Sequence, residues 1–303
     1  MTDGVLRVAQ LNAGSLLEPG WDERRHEVAA WLERLDPDVV CLQEIWESDT
    51  TRNTAGWLVD QSEPRRWHWT FDGAGVGPRF AADPSIIFGS AILSRWPIDD
   101  HHHWDLPLAP QPDEAVSQIP WELVHAETAG LDVFSTHLAP APHHGDHRSA
   151  QVLAIDSHIR EVRGDKDVLE PGRRRSGMPA ILCGDFNAEP DSDEIRFLSS
   201  LTTLQGRTTF YQDAWRVAGE GPGYTQDWRA NRIAASLNVH RKRIDYVLVG
   251  DPFLRKGSAG RVLEAAVAFD VPLTGVLASD HAGLVVDVAW PSKPPIPVPP
   301  ASQ

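Results

Sequence analysis

Residues 180–187 read AILCGDFN, an apolar run that ends by delivering an acid and an amide, Asp185 and Asn187, two positions apart. A buried strand has no need of such residues unless something at its end uses them. Short runs rich in Val and Ile recur along the chain with turn residues between them, the pattern of buried strands. Strands are expected over 6–11, 38–42, 85–93, 131–136, 180–183, 244–249 and 284–288. Several again run apolar and then turn polar: VAQLN ends in Asn12, VVCLQE in Gln43 and Glu44, and VFSTH in His137. RIDY supplies Asp245, and SDH supplies Asp280 and His281. One such residue alone reads as a strand-end cap or turn residue; the set implies convergence.

Helices interrupt the strands. In WDERRHEVAAWLERL (21–35), Val28, Leu32 and Leu35 repeat at amphipathic spacing and Pro37 follows. In HRSAQVLAIDSHIREV (147–162) the apolar stripe is Val152, Ile155, Ile159 and Val162. A third helix is predicted after Pro190, where Asp191 and Glu194 stand at capping-box spacing. Strands and helices mix without strict alternation, which favours stacked sheets with helices outside over a doubly wound fold.

The chain has 303 residues, and 28 Lys+Arg against 43 Asp+Glu give a net charge of −15. That charge opposes loose, whole-surface binding to nucleic acid or anionic lipid. It does not exclude a locally cationic or metal-filled site. No internal repeat or linker divides the chain, so a single domain over 1–290 is expected, followed by a Pro-rich, disordered tail over 291–303. No transmembrane segment or secretory leader is legible, and a cytoplasmic location is the expectation. Cys41 and Cys183 sit in apolar runs and read as reduced core thiols.

Trp46, Trp57, Trp67, Trp69, Trp96 and Trp104 cluster in sequence, with core packing the default reading and a substrate-facing aromatic wall the alternative. GRRRSG (172–177) reads as a solvated basic loop or, alternatively, a phosphate contact, and FDGAGVGPRF (71–80) as a flexible loop. His101, His102 and His103, and likewise His143, His144 and His147, read as solvated loops near a site rim, with an extra Zn²⁺ or Ni²⁺ site as the alternative.

The converging residue types suit one chemistry. Glu44, Asp185 and Asp280 offer hard oxygen ligands for Mg²⁺ or Mn²⁺. Asn12 and Asn187 add neutral donors for a phosphoryl oxygen. One histidine could shuttle a proton with its tautomer held by Asp245, while the other stabilises charge at phosphorus. Such a set is what in-line attack of water on a phosphate ester requires.

LNAG, LQEIW, THL, GDFNAEPDS, RIDYVLV and SDHAGLVVDV, in that order, resemble the endonuclease/exonuclease/phosphatase superfamily of DNase I-like hydrolases. The resemblance implies an α+β fold, a four-layer αββα sandwich of two mainly antiparallel sheets flanked by helices, with the site at one end. It implies a divalent-metal-dependent phosphoesterase, foremost a phosphodiesterase, using Mg²⁺ or Mn²⁺. Residue by residue, Glu44 resembles the metal-binding glutamate, and Asn12 the asparagine that positions metal and phosphate. Asp280 resembles a further metal ligand. Asp185 matches the aspartate that orients or deprotonates water, and Asn187 the amide that holds the phosphoryl group. His281 matches the proton-transfer histidine with Asp245 its partner, and His137 the histidine that stabilises the phosphorane.

Two departures bear on substrate. Gly14 stands where abasic-site endonucleases carry an acid, and no arginine lies between Ser117 and Ala126. The chain looks closer to the sphingomyelinase-like and uncharacterised bacterial branches. The substrate is expected to be a phosphate ester, whether small molecule, lipid head group or nucleic acid, and no protein partner is implied. A nuclease, a phosphomonoesterase acting on a sugar or inositol phosphate, and a catalytically inactive phosphate-binding module are the other readings.

Overall fold

A computed structural model describes residues 4–62, 66–165, 177–233, 240–250 and 256–297. The strands are β1 (Val5–Asn12), β2 (Val39–Glu47), β3 (His68–Gly75), β4 (Ile87–Ser94), β5 (Ile98–Asp105) and β6 (Glu122–Thr128). They continue with β7 (Leu131–His137), β8 (Ile181–Asp185), β9 (Tyr211–Asp213), β10 (Asp245–Gly250), β11 (Val262–Ala268) and β12 (Gly283–Ala289). The α-helices are α1 (Trp21–Leu35), α2 (Thr54–Gln61), α3 (Gly145–Arg163), α4 (Asp193–Leu198) and α5 (Ala214–Ala218).

Two six-stranded sheets form, one ordered β11-β12-β1-β2-β4-β3 and the other β5-β6-β7-β8-β10-β9. Each contains one parallel pair, β1 with β2 and β7 with β8, and the remaining neighbours are antiparallel. Parallel neighbours need a long crossover, and the two longest helices, α1 and α3, supply them.

Three apolar layers hold four layers of structure together. Between the sheets lie Val8, Cys41, Ile92, Val133, Cys183, Val247 and Val286. Outside the first sheet, Leu11 and Leu42 meet Val28, Trp31 and Leu32 of α1. Outside the second, Phe134, Leu182 and Tyr246 meet Val152, Ile155 and Ile159 of α3. This is the expected α+β sandwich. Both cysteines are free and buried. Among the described residues, no helix is long and apolar enough to cross a membrane.

Several local expectations are corrected. The glycine-spaced segment 71–80 is not all loop, since Phe71–Gly75 belong to β3. The histidine run lies on β5, an edge strand whose polar residues are exposed along most of its length, so no apolar alternation announced it. Asp191 does not cap α4: Ser192 holds the cap position without a side-chain bond, and Glu194 turns inward to Arg148 at 3.0 Å. The described part of the Pro-rich segment, 291–297, packs on the fold. Lys293 Nζ donates to the Val5 carbonyl and Asp38 at 2.8 and 2.7 Å, and the Pro295 carbonyl accepts from Trp96 Nε1 at 3.1 Å. The remainder of the tail, 298–303, and residues 172–176 of the basic loop lie outside the described residues.

Candidate active site

Alternation along each strand explains how the site forms. The inward face of β1 carries Leu6 and Val8 in the apolar layer, then Gln10, then Asn12. On β2 the same face reads Val39, Cys41, Gln43; on β7 Val133, Ser135, His137; on β8 Ile181, Cys183, Asp185. Each of these four strands passes from apolar to polar at one level, so a single end of the interior becomes ionisable. Register then aligns the strands: Glu122 lies opposite His137, His137 opposite Asp185, and Asp185 opposite Asp245.

Two residues reach the site through unusual backbone. The pairing of β2 with β4 shifts register between Leu42 and Ile45, and Glu44 within that irregularity has φ 56°. Asn187 has φ 48°. A non-glycine residue in the left-handed region costs on the order of 1 kcal/mol or more, and such positions gather at functional sites. Here the bulge re-aims Glu44 towards Asn12.

The structure brings together all the residues expected to form the site. Asn12 Nδ2 donates to Glu44 Oε1 at 2.9 Å and to Asp185 Oδ2 at 3.0 Å. The buried His281 ring donates from Nδ1 to Asp245 Oδ2 at 2.9 Å, and its Nε2 lies 3.9 Å from both Asp185 Oδ2 and Asp280 Oδ2. His137 Nε2 is 3.6 Å from Asp185 Oδ2. The Asn187 amide donates to His137 Nε2 at 3.2 Å and to the Leu138 carbonyl at 2.9 Å, and its backbone N–H donates to Asp185 Oδ1 at 2.8 Å.

The two histidines are driven apart electrostatically. Burial works against a charge on His281, but Asp245, Asp280 and Asp185 outweigh it and raise its pKa well above the ordinary value. Burial, reinforced by the charge of His281, pushes His137 down to about 3. One ring is a cation and its neighbour is neutral. The acids are crowded: burial and then Asp280 push Glu44 up to about 8, and burial and then Asp245 push Asp185 up to about 7. Hard oxygen donors short of positive charge are the chemistry that fits a divalent cation. Asp185, Asp245 and His281 bring possible ligand atoms within 4.8 Å of one another. His281 Nδ1 already serves Asp245; the oxygens of Glu44, Asp280 and Asn12, the last also accepting the Gly14 amide hydrogen at 3.1 Å, are the others that could hold a cation.

Sequence reasoning missed what supports this set. Arg24 of α1 is buried, and all its N–H groups donate to backbone carbonyls, those of Ala13, Gly14, Glu18, Pro19 and Ala278, at 2.7 to 2.9 Å. It ties the loop after Asn12 to the segment before Asp280. Gly14, with φ 53°, leaves room that Glu18 occupies: a Cβ there would lie 3.0 Å from Glu18 Cγ and 3.1 Å from Asp280 Oδ1. The acid absent from position 14 is thus approached from position 18. Trp121, in the segment without an arginine, sets its ring edge-on to His137 at 5.4 Å between centroids. No spacing in the sequence marks Arg24, Glu18 or Trp121.

The clustered tryptophans are mostly structural. Trp67 and Trp96 are buried, Trp104 stacks on His158 at 4.9 Å, and only Trp46 borders the site, donating to the Ser15 carbonyl at 3.1 Å. His143 and His144 converge on Asp113 Oδ2 at 3.0 and 2.9 Å. His144 Nδ1, however, accepts the Ala141 amide hydrogen at 3.2 Å, so its proton sits on Nε2 and points at Asp113. The nitrogen a Zn²⁺ or Ni²⁺ ion would need is a donor, and the cluster is a hydrogen-bonded clip.

Two stacked sheets thus carry, at one end, a histidine–aspartate pair beside clustered acids and amides. The chain belongs to the Endonuclease/Exonuclease/phosphatase family, whose profile matches residues 9–281. It is 28% identical over 215 residues to "Protein angel homolog 1" of Homo sapiens, covering 66% of this chain and 28% of that protein. It is 26% identical over 284 residues to "Inositol phosphosphingolipids phospholipase C" of Saccharomyces cerevisiae, covering 83% and 53%. The chain therefore spans only about a quarter to a half of the length of these relatives. Among solved structures, TDP2 from C. elegans superposes with TM-score 0.64 at 18% identity, covering 94% of this chain and 75% of that one. The endonuclease/exonuclease/phosphatase from Beutenbergia cavernae DSM 12333 gives TM-score 0.64 at 21% identity, covering 94% and 72%. Both share the fold.

Proposed function

We propose that the chain is a divalent-cation-dependent phosphodiesterase that hydrolyses a P–O bond by in-line attack of water. The observation that carries this reading is the buried pair of His281 and Asp245, 2.9 Å apart, whose free Nε2 faces Asp185. Glu44, Asn12 and Asp280 would hold the cation, which offsets their charge and polarises a phosphoryl oxygen. Asp185, held by Asn12 and by the Asn187 backbone, receives the proton of the attacking water. His281 carries a proton on the side of the leaving oxygen, with Asp245 keeping its tautomer. Both hydrogens of the Asn187 amide are engaged, so its first task is to orient His137. His137 acts as a neutral ring beside the phosphoryl group.

A nuclease is the second reading, favoured by two aromatic–cation pairs. Arg241 lies 4.5 Å over Tyr224 and Arg229 5.2 Å over Trp228. Their loop is anchored at the site, because Thr225 Oγ1 accepts from the Asp245 amide at 3.3 Å and the Thr225 carbonyl accepts from the Ala282 amide at 2.7 Å. Exposed arginines over half-buried aromatic rings suit contacts to bases and phosphates of a single strand.

The test is hydrolysis of bis-p-nitrophenyl phosphate in Mg²⁺ or Mn²⁺. Activity should vanish with chelator and in Asp185→Ala and His281→Ala; turnover that survives all three overturns the reading. Cleavage of single-stranded DNA or RNA with a steep salt dependence would select the nuclease, and preference for sphingomyelin or phosphatidylinositol phosphates the lipid substrate.

A further inference from the structure

Between the apolar layer and the ionisable end lies a thin layer of buried amides that the reaction above does not use. Gln10 and Gln43 are fully buried, on adjacent strands of the first sheet. Gln10 Nε2 donates both its hydrogens, to Gln43 Oε1 at 2.8 Å and across the sandwich to Asp245 Oδ1 at 3.0 Å. Gln43 Nε2 in turn donates to Ser135 Oγ on β7 at 2.9 Å.

The orientation of the Gln10 amide is forced. The Asp245 carboxylate offers only acceptors, so the Gln10 nitrogen must face it and the carbonyl must face away; Gln43 then turns its own oxygen to the second hydrogen. Gln10 Oε1 is consequently buried without a hydrogen-bond partner. An unmade buried hydrogen bond destabilises the fold, whereas an apolar side chain of similar volume would avoid that cost. A protein that keeps a glutamine here retains the donor for a purpose.

We infer that Gln10 is a positioning residue for the hydrolytic reaction, fixing the Asp245 carboxylate so that its second oxygen is held against His281. Asp245 uses Oδ1 for Gln10 and Oδ2 for His281 Nδ1. A carboxylate bonded at one oxygen alone turns about its last torsion, while one held at both has a fixed plane. That plane sets the direction of the imidazole and hence where Nε2 points. The link also ties the two sheets at the site, since β1 carries Gln10 and Asn12 while β10 carries Asp245. The kinetic consequence rests on the phosphodiesterase reading; the geometric one does not.

Two measurements test it. In Gln10→Leu, which matches the volume but cannot donate, kcat on bis-p-nitrophenyl phosphate should fall roughly tenfold or more with KM within about twofold. In an Asp245→Ala background the same substitution should cost less than about twofold, because the oxygen that Gln10 holds is already gone. An equal loss in both backgrounds would mean that Gln10 supports the fold generally, and overturns the inference. Independently of activity, the wild-type protein should show a low-field proton resonance for His281 Nδ1–H, absent in His281→Ala. In Gln10→Leu that signal should broaden or move, and an unchanged signal also overturns the inference. If Gln10→Leu does not fold, Gln43→Leu leaves Asp245 its donor and should keep kcat within about threefold; a larger loss counts against the assignment.

Discussion

Asp185 and Asp245 stand directly opposite each other on neighbouring strands, and His281 is the cation that makes two buried carboxylates tolerable there. Its Nδ1 is bonded to Asp245 at 2.9 Å and its Nε2 lies 3.9 Å from Asp185. Removing the ring therefore removes a proton donor and also leaves Asp185 facing a like charge, which favours its protonated form. His281→Ala should lower kcat on bis-p-nitrophenyl phosphate by about a thousandfold. Steady-state kinetics check this, and a loss under tenfold would count against the role.

Glu44 is in a different position, crowded by burial and by Asp280 so that its pKa rises to about 8. Its carboxylate is costly to the empty fold and useful only when a cation offsets it. Glu44→Gln should keep or raise the thermal midpoint of the metal-free protein. The increase in midpoint that millimolar Mn²⁺ gives the wild type should shrink or disappear, because stabilisation by ligand follows affinity. Thermal denaturation with and without Mn²⁺ reads both effects.

Arg24 offers a test of the loop architecture. Its guanidinium satisfies five carbonyls that no other described side chain reaches in the hydrogen bonds of this region. Arg24→Ala should cost about 3 to 5 kcal/mol in urea unfolding, with Arg24→Lys recovering only part, since an ammonium has three donors and no planar fork. Cation affinity should weaken in both variants because the loop and the Asp280 segment are no longer tied.

Glu122 gives a pH dependence away from the proposed metal ligands. Its pKa is raised from 4.5 to about 7, by burial first, against the opposing pull of His103. An acid raised in the folded state contributes stability that is fully present below its unfolded pKa and lost as pH rises through the folded one. Glu122→Gln, which can still accept from the Ser90 amide, escapes that loss. Relative to wild type, it should gain on the order of 1 to 3 kcal/mol between pH 5 and pH 8. Denaturant unfolding at the two pH values checks the sign, and a variant that loses ground at pH 8 contradicts it.

The central strands were legible because burial imposes apolar runs, and the site residues because acids, amides and histidines at the ends of such runs have no packing reason to be there. β3 and β5 were not, since edge strands carry polar residues and glycines without a buried face to impose alternation. The helix cap was misread for a related reason: Asp191 and Glu194 have the right spacing, but Arg148 on α3 claims Glu194. Likewise the prolines after Pro291 look unstructured in isolation, yet Lys293 bonds to β1 and the Pro295 carbonyl to Trp96.

By itself the amino-acid sequence pointed to the family, to the sandwich of two sheets, and to Asn12, Glu44, His137, Asp185, Asn187, Asp245, Asp280 and His281 as residues that the fold gathers at one end, because local periodicity and residue chemistry are written along the chain. Only the tertiary structure decided which histidine is charged, how Glu44 is turned inward, that Glu18 approaches the place Gly14 leaves open, and that Gln10 reaches Asp245 from the opposite sheet. Those are distances and electric fields between segments far apart in sequence, and they exist only once strands from both sheets are packed to one level.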